Sequence, residues 1–100
     1  MTLDELVLHI VAELRAGGYP GELAQLGACR DDYARAGVLY RSADTIRPIG
    51  RATCLRFAGA FASHALRCRA DGWPVDSEVW RERSEAELER YRGAAGEVSP

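Results

Sequence analysis

One hundred residues with 47% hydrophobic and 28% charged content exclude a chain disordered throughout and leave no room for two independent cores, since a domain of this size buries roughly 60 to 70% of its unfolded surface around one core. The formal net charge of −2 and the pI near 5.7 lack the basic footprint by which proteins hold nucleic acid through bulk electrostatics.

Thr2-Leu3-Asp4-Glu5 has the pattern of a capping box, so a first helix is predicted to start there. Leu3, Leu6, Val7, Ile10, Val11 and Leu14 follow at spacings of three and four and form one apolar stripe, which Gly17-Gly18 ends. Tyr19-Pro20 predicts an extended step into a second helix over 20–36 with a weaker stripe of Leu23, Leu26, Cys29 or Arg30, and Tyr33, closed by Gly37. Val38 to Arg41 has no strand to pair with and reads as a loop. Ser42, Asp44 and Thr45 offer capping oxygens for a long third helix over about 46–70, and Asp71-Gly72 supplies its stop.

Asp76 reads as the N-cap of a fourth helix over 77–92, with Val75 and Trp80 at the two positions of a hydrophobic staple. Charge crowds that helix from 81 to 92, which predicts a peripheral position. Residues 93–100 read as a frayed tail after an ordered 1–92. The expectation is a single all-α domain over 1–100, a compact four-helix arrangement built around the helix at 46–70.

On a helical wheel of that third helix, Arg56, Ser63 and Arg67 share a polar side. His64, Phe57, Cys68, Phe61, Cys54, Ala65, Ala58, Ala62, Leu55 and Leu66 fill a continuous arc of roughly 200°, too wide for one neighbouring helix. Ala58, Gly59, Ala62, Ser63 and Ala65 are small enough for another backbone to approach closely. Either a helix of the same chain or a homodimer seam fits that contact.

Cys54 and Cys68 stand fourteen residues apart, about 21 Å along one helix, and can neither bridge each other nor share a metal. His64 and Cys68, at i and i+4, could offer two zinc ligands, with Cys29 and His9 as the other soft candidates. No CxxC or HExxH spacing supports this, and no Gly-rich turn at a helix N-terminus stands beside Cys68 as an oxyanion feature. Neither metal, cofactor nor catalytic residues are expected. Free cysteines read as small buried hydrophobes.

The thirteen basic residues are all Arg, and Lys and Asn are absent, a usage that points to a GC-rich genome such as that of an actinobacterium or its phage. Residues 1–40 carry six acids and three Arg, 41–69 carry Asp44 against six Arg, and 70–100 carry eight acids and four Arg. Two explanations compete: the acidic flanks neutralise the basic middle, or the middle faces an acidic partner. The binding candidates are Arg47, Arg51, Arg56 and Arg67, since guanidinium groups grip carboxylate and phosphate in a fixed fork.

The function that follows is a small non-catalytic protein acting by protein–protein interaction, as an accessory regulator or a phage product that modulates a host protein. The alternatives are a nucleic-acid-binding transcriptional regulator, against which the charge argues, and a small-molecule or metal-binding protein using His64 and Cys68. Asp4 and Glu5 stand where a secretory leader needs positive charge, and no apolar run reaches the roughly 20 residues of a membrane span. The expected location is cytoplasmic.

Overall fold

The Thr2 hydroxyl accepts from the Glu5 N–H at 3.2 Å and the Glu5 carboxylate accepts from the Thr2 N–H at 3.3 Å, so two of the N–H groups that a helix start leaves orphaned are satisfied reciprocally. That closed box begins α1, Leu3–Ala16, and all six residues of its predicted stripe are buried. The computed structural model describes residues 1–97, with side chains to Gly93. Four α-helices and one 3-10 helix follow one another, α1, the 3-10 helix Leu23–Ala28, α2 (Asp32–Asp44), α3 (Ala52–Ala70) and α4 (Pro74–Glu97). Among the described residues there is no strand, and the all-α class stands.

The second predicted helix divides in two. The Asp31 carboxylate accepts from the Ala34 N–H at 2.7 Å and starts a new helix at Asp32. Cys29 just before it is extended, so only a short 3-10 turn forms upstream. The Asp31 cap outcompetes a continuous helix through 20–36. Gly37 does not stop α2, because Ala36, Leu39 and Ala43 continue an apolar stripe through it and are buried with Val38 and Ser42. The expected loop at 38–41 is therefore the middle of α2, and the third helix starts at Ala52 rather than near 46.

α1 and α3 end in the same way. Gly18 and Gly72 adopt φ of 79° and 80°, and the following residues, Tyr19 and Trp73, donate N–H groups back to Leu14 and Cys68 at 2.8 and 2.9 Å. Glycine takes this left-handed step without the steric cost a Cβ would bring. α4 starts at Pro74, in the first-turn position where the missing N–H costs nothing. Asp76 consequently lies inside the first turn rather than capping it, and Val75, 75% exposed, forms no staple with Trp80. The helix also runs past the predicted end at Arg92 to Glu97, so the expected tail is helical up to that point and its last residues, 98–100, lie outside the described residues.

α3 is the central element, packing against α4, α2 and α1. Its inner side is Leu55, Ala58, Gly59, Ala62, Ser63, Ala65 and Leu66, all buried. A Cβ built on Gly59 would lie 2.6 Å from the Ala43 Cβ, so α2 crosses α3 at a distance that only glycine permits. Against α4, the Ser77 hydroxyl donates to the Ala65 carbonyl at 2.8 Å and the Ser84 hydroxyl to the Ala58 carbonyl at 2.6 Å. Seven residues separate the partners on both helices, which fixes an antiparallel register. α4 is thus charged on its outer surface but engages α3 more extensively than any other pair of helices engage.

Arg51 and Arg69 are eighteen residues apart, five turns, and bracket the inner side at its two ends. Arg51 lies over the Tyr91 ring at 4.3 Å and donates to the Tyr91 carbonyl at 3.2 Å. Arg69 donates to Asp4 of α1 and to Asp32 of α2 at 2.8 to 3.2 Å, tying three helices together. The Arg69 hydrogen bonds hold both carboxylates below their ordinary range, and the two carboxylates raise the Arg69 pKa in return.

Candidate interaction face

The opposite side of α3 carries its aromatic side chains. Phe57 is 46% exposed and stacks on Phe61 with ring centroids 5.6 Å apart. Phe61 meets Trp80 of α4 at 5.4 Å, and the exposed His64 meets the same indole at 4.9 Å. The register set by Ser77 and Ser84 places Trp80 between these two α3 residues. Arg83, one turn further along α4, lies over the Trp80 ring at 4.9 Å, a cation–π contact in which the charge stays in water. The result is an aromatic ledge across α3 and α4 with its edges in solvent.

α4 and the link before it expose further apolar side chains. Trp73 on the link into α4 is 56% exposed, and Val75 and Val79, four residues apart on one side of α4, are 75% and 40% exposed. Among the described residues nine large hydrophobic side chains reach solvent, and Phe57, Trp73, Val75 and Val79 are four of them. Singly exposed apolar residues need no explanation, whereas large contiguous apolar patches are where interaction sites are sought.

The four Arg predicted to bind a partner are engaged differently. Arg56 donates to the Asp44 carboxylate at 2.6 Å and to the Ile46 carbonyl at 2.6 Å, which fastens the link before α3. Arg51 is engaged with Tyr91. Arg47 and Arg67 are exposed and, among the described residues, have no carboxylate partner. Of the six Arg in the basic middle, Arg41 pairs with Glu22 and Arg69 with Asp4 and Asp32, so the flanks do neutralise part of it. Arg83 also has no carboxylate partner among the described residues.

Cys54 and Cys68 lie on the shoulder of this face, half-buried. Burial pushes both thiols above their ordinary pKa, and the neighbouring Glu87 carboxylate for Cys54 and Asp76 carboxylate for Cys68 push further the same way. A raised pKa leaves little thiolate at neutral pH, the opposite of what a nucleophilic cysteine needs. His64 and Cys68 gain no third ligand: among the described residues, no three His, Cys, Asp or Glu side chains gather where they could hold a metal ion. No helix among them is long and apolar enough to cross a membrane.

Reasoning from the sequence took Trp80 as the staple partner of Val75, did not single out Arg83 for the face, and placed Phe57, Phe61 and His64 in the core arc. The available signal was size. Within that arc the small residues cluster on one half and the rings on the other. Compared with known protein families, curated proteins and solved structures, the chain matches none.

Proposed function

We propose that this is a non-catalytic helical protein that acts by protein–protein interaction through the outer face of α3 and α4. The observation that carries this reading is the Phe57–Phe61–Trp80–His64 ledge, open to solvent and edged by Arg83. Trp, Tyr and Arg dominate the small set of residues that supply most binding energy in protein interfaces, and the rigid rings among them bury much area for little lost entropy. Arg67, exposed and three residues from His64, stays within the proposed face, whereas Arg51 and Arg56 serve the fold. Nucleic-acid binding is less well supported, since three of the six central Arg are held by carboxylates of the same chain.

A photo-crosslinking side chain installed in cells at position 57 or 79, with position 8 on α1 as the control, tests the reading. Leu8 is 67% exposed, more than Phe57 or Val79, so the control position is at least as accessible. Protein adducts that form from 57 and 79 and not from 8 support the face. Adducts equal at all three positions, or absent from all, remove it.

A further inference from the structure

The ledge has charges placed for one kind of partner in particular. On α4, Asp76 lies four residues before Trp80 and Arg83 lies four residues after Val79, so the two charges stand about one turn to either side of an apolar centre. Asp76 is exposed and close enough to Cys68 for its charge to be felt there, which puts it on the α3 side of the helix, and Arg83 covers the indole from the same side. Neither has an ion-pair partner among the described residues, whereas the next charged pair along, Glu87 and Arg90, is already internally matched.

We infer that the partner of this face is a second copy of this chain, related by a two-fold axis that passes near Val79 and Trp80 with the two α4 helices antiparallel. The inference rests on the reading of the face as a protein-binding surface. A two-fold contact must be self-complementary, residue by residue. Antiparallel α4 helices crossing at Val79–Trp80 set Asp76 of each copy opposite Arg83 of the other, making two equivalent ion pairs around a centre of Trp80, Val79 and Phe61. The same crossing carries Phe57 and Val75 toward the partner rather than toward water.

The area is adequate. A stable interface takes about 800 Å² from each partner, roughly one-seventh of the 5772 Å² that this molecule exposes, and one side of a body 45 by 27 by 20 Å supplies it. Charge placement of this kind sets orientation and excludes wrong registers more than it adds affinity. The rings therefore hold the dimer and the charges choose its geometry.

Sedimentation of the purified full chain tests this, with Asp76→Arg, Arg83→Asp, the Asp76→Arg/Arg83→Asp double variant and Val79→Glu, each checked for its helical content and thermal transition. The wild type is expected to sediment as a monomer–dimer equilibrium. Each single reversal puts like charges opposite each other twice and weakens the dimer by about ten-fold or more, and the double variant, in which both pairs are re-formed with signs exchanged, returns to within about three-fold of wild type. Val79→Glu, at an exposed position that leaves the caps and core untouched, yields monomer. A wild type that stays monomeric across the micromolar range overturns the inference, and so does a double variant as weak as the singles. If adducts to other proteins still form from positions 57 and 79 while the pure chain is monomeric, the second copy is refuted and the binding face survives.

Discussion

The two sides of α3 are similar in hydrophobicity and opposite in fate. The inner side, with Leu55, Ala58, Gly59, Ala62, Ala65 and Leu66, is sealed. The outer side, with Phe57, Phe61, His64 and Cys68, is half open. What separates them is the distance at which a neighbour settles. Small side chains let α2 close to 2.6 Å between the Ala43 Cβ and a Cβ placed on Gly59, and let the hydroxyls of α4 reach α3 carbonyls. Rings cannot occupy a seam that narrow, so they stack on one another outside it. In a helix between close neighbours, a cluster of large apolar residues beside a stripe of small ones is the less buried half.

The largest effect that tests this contrast is a cavity on the inner side. Leu66→Ala, at a fully buried position, is expected to cost about 2 to 5 kcal/mol. Urea unfolding followed by far-UV circular dichroism measures it, and a cost under about 1 kcal/mol would mean that the inner side is not the core. Gly59→Ala comes next. Its new methyl meets Ala43 inside normal contact distance, so despite the better helix propensity of alanine the variant is expected to lose about 1 to 3 kcal/mol through overpacking. A stabilised Gly59→Ala would show that α2 and α3 can separate freely, and the argument from small residues would fail.

Much of this was legible in the sequence, and what was missed was decided by competition or by contacts that local pattern does not rank. The capping box at Thr2, the stripe of α1 and the two glycine stops are each decided by residues of a single helix and its ends, and each came out as read. The division of the second helix was also locally encoded, by Asp31, but this cap competes with the helix start expected at Pro20 and composition alone does not rank them. The face was harder. A 200° arc counts apolar residues without regard to how near a neighbour can come, and that distance is set by Gly59 and Ala43 on different helices. Arg56 and Arg67 looked equivalent on the wheel. The difference between them is Asp44, which the turn at 45–51 folds back against Arg56.

Ser84→Ala gives a smaller effect on the same inner seam. The buried hydroxyl donates to the Ala58 carbonyl at 2.6 Å, and its loss is expected to cost about 1 kcal/mol. The clamp at the end of the seam responds to acid. Asp4 and Asp32 are held below their ordinary pKa by Arg69, so folding disfavours their protonation. Their contribution is complete above an unfolded-state pKa of about 4 and is lost as pH falls through and below it. In Arg69→Met the two carboxylates return toward ordinary values, so the fall in stability between pH 6 and pH 3 flattens. Partial exposure of the clamp limits the loss at neutral pH to about 1 kcal/mol or less. An unchanged acid profile would dissociate the clamp from stability altogether.

The smallest change in monomer stability is expected where the sequence pattern placed core and the structure places surface. Phe57→Ser removes a ring that is 46% exposed and whose aromatic partner is Phe61 at 5.6 Å. An exposed aromatic pair contributes about 0.5 to 1 kcal/mol, well below the cost of Leu66→Ala although phenylalanine is the larger side chain. Urea unfolding at a protein concentration low enough for the chain to be monomeric isolates that number. If the ring is held for binding, the same variant leaves the monomer nearly as stable while the association read by sedimentation weakens. A monomer destabilised by 3 kcal/mol or more would return Phe57 to the core, and the two sides of α3 would no longer differ in kind.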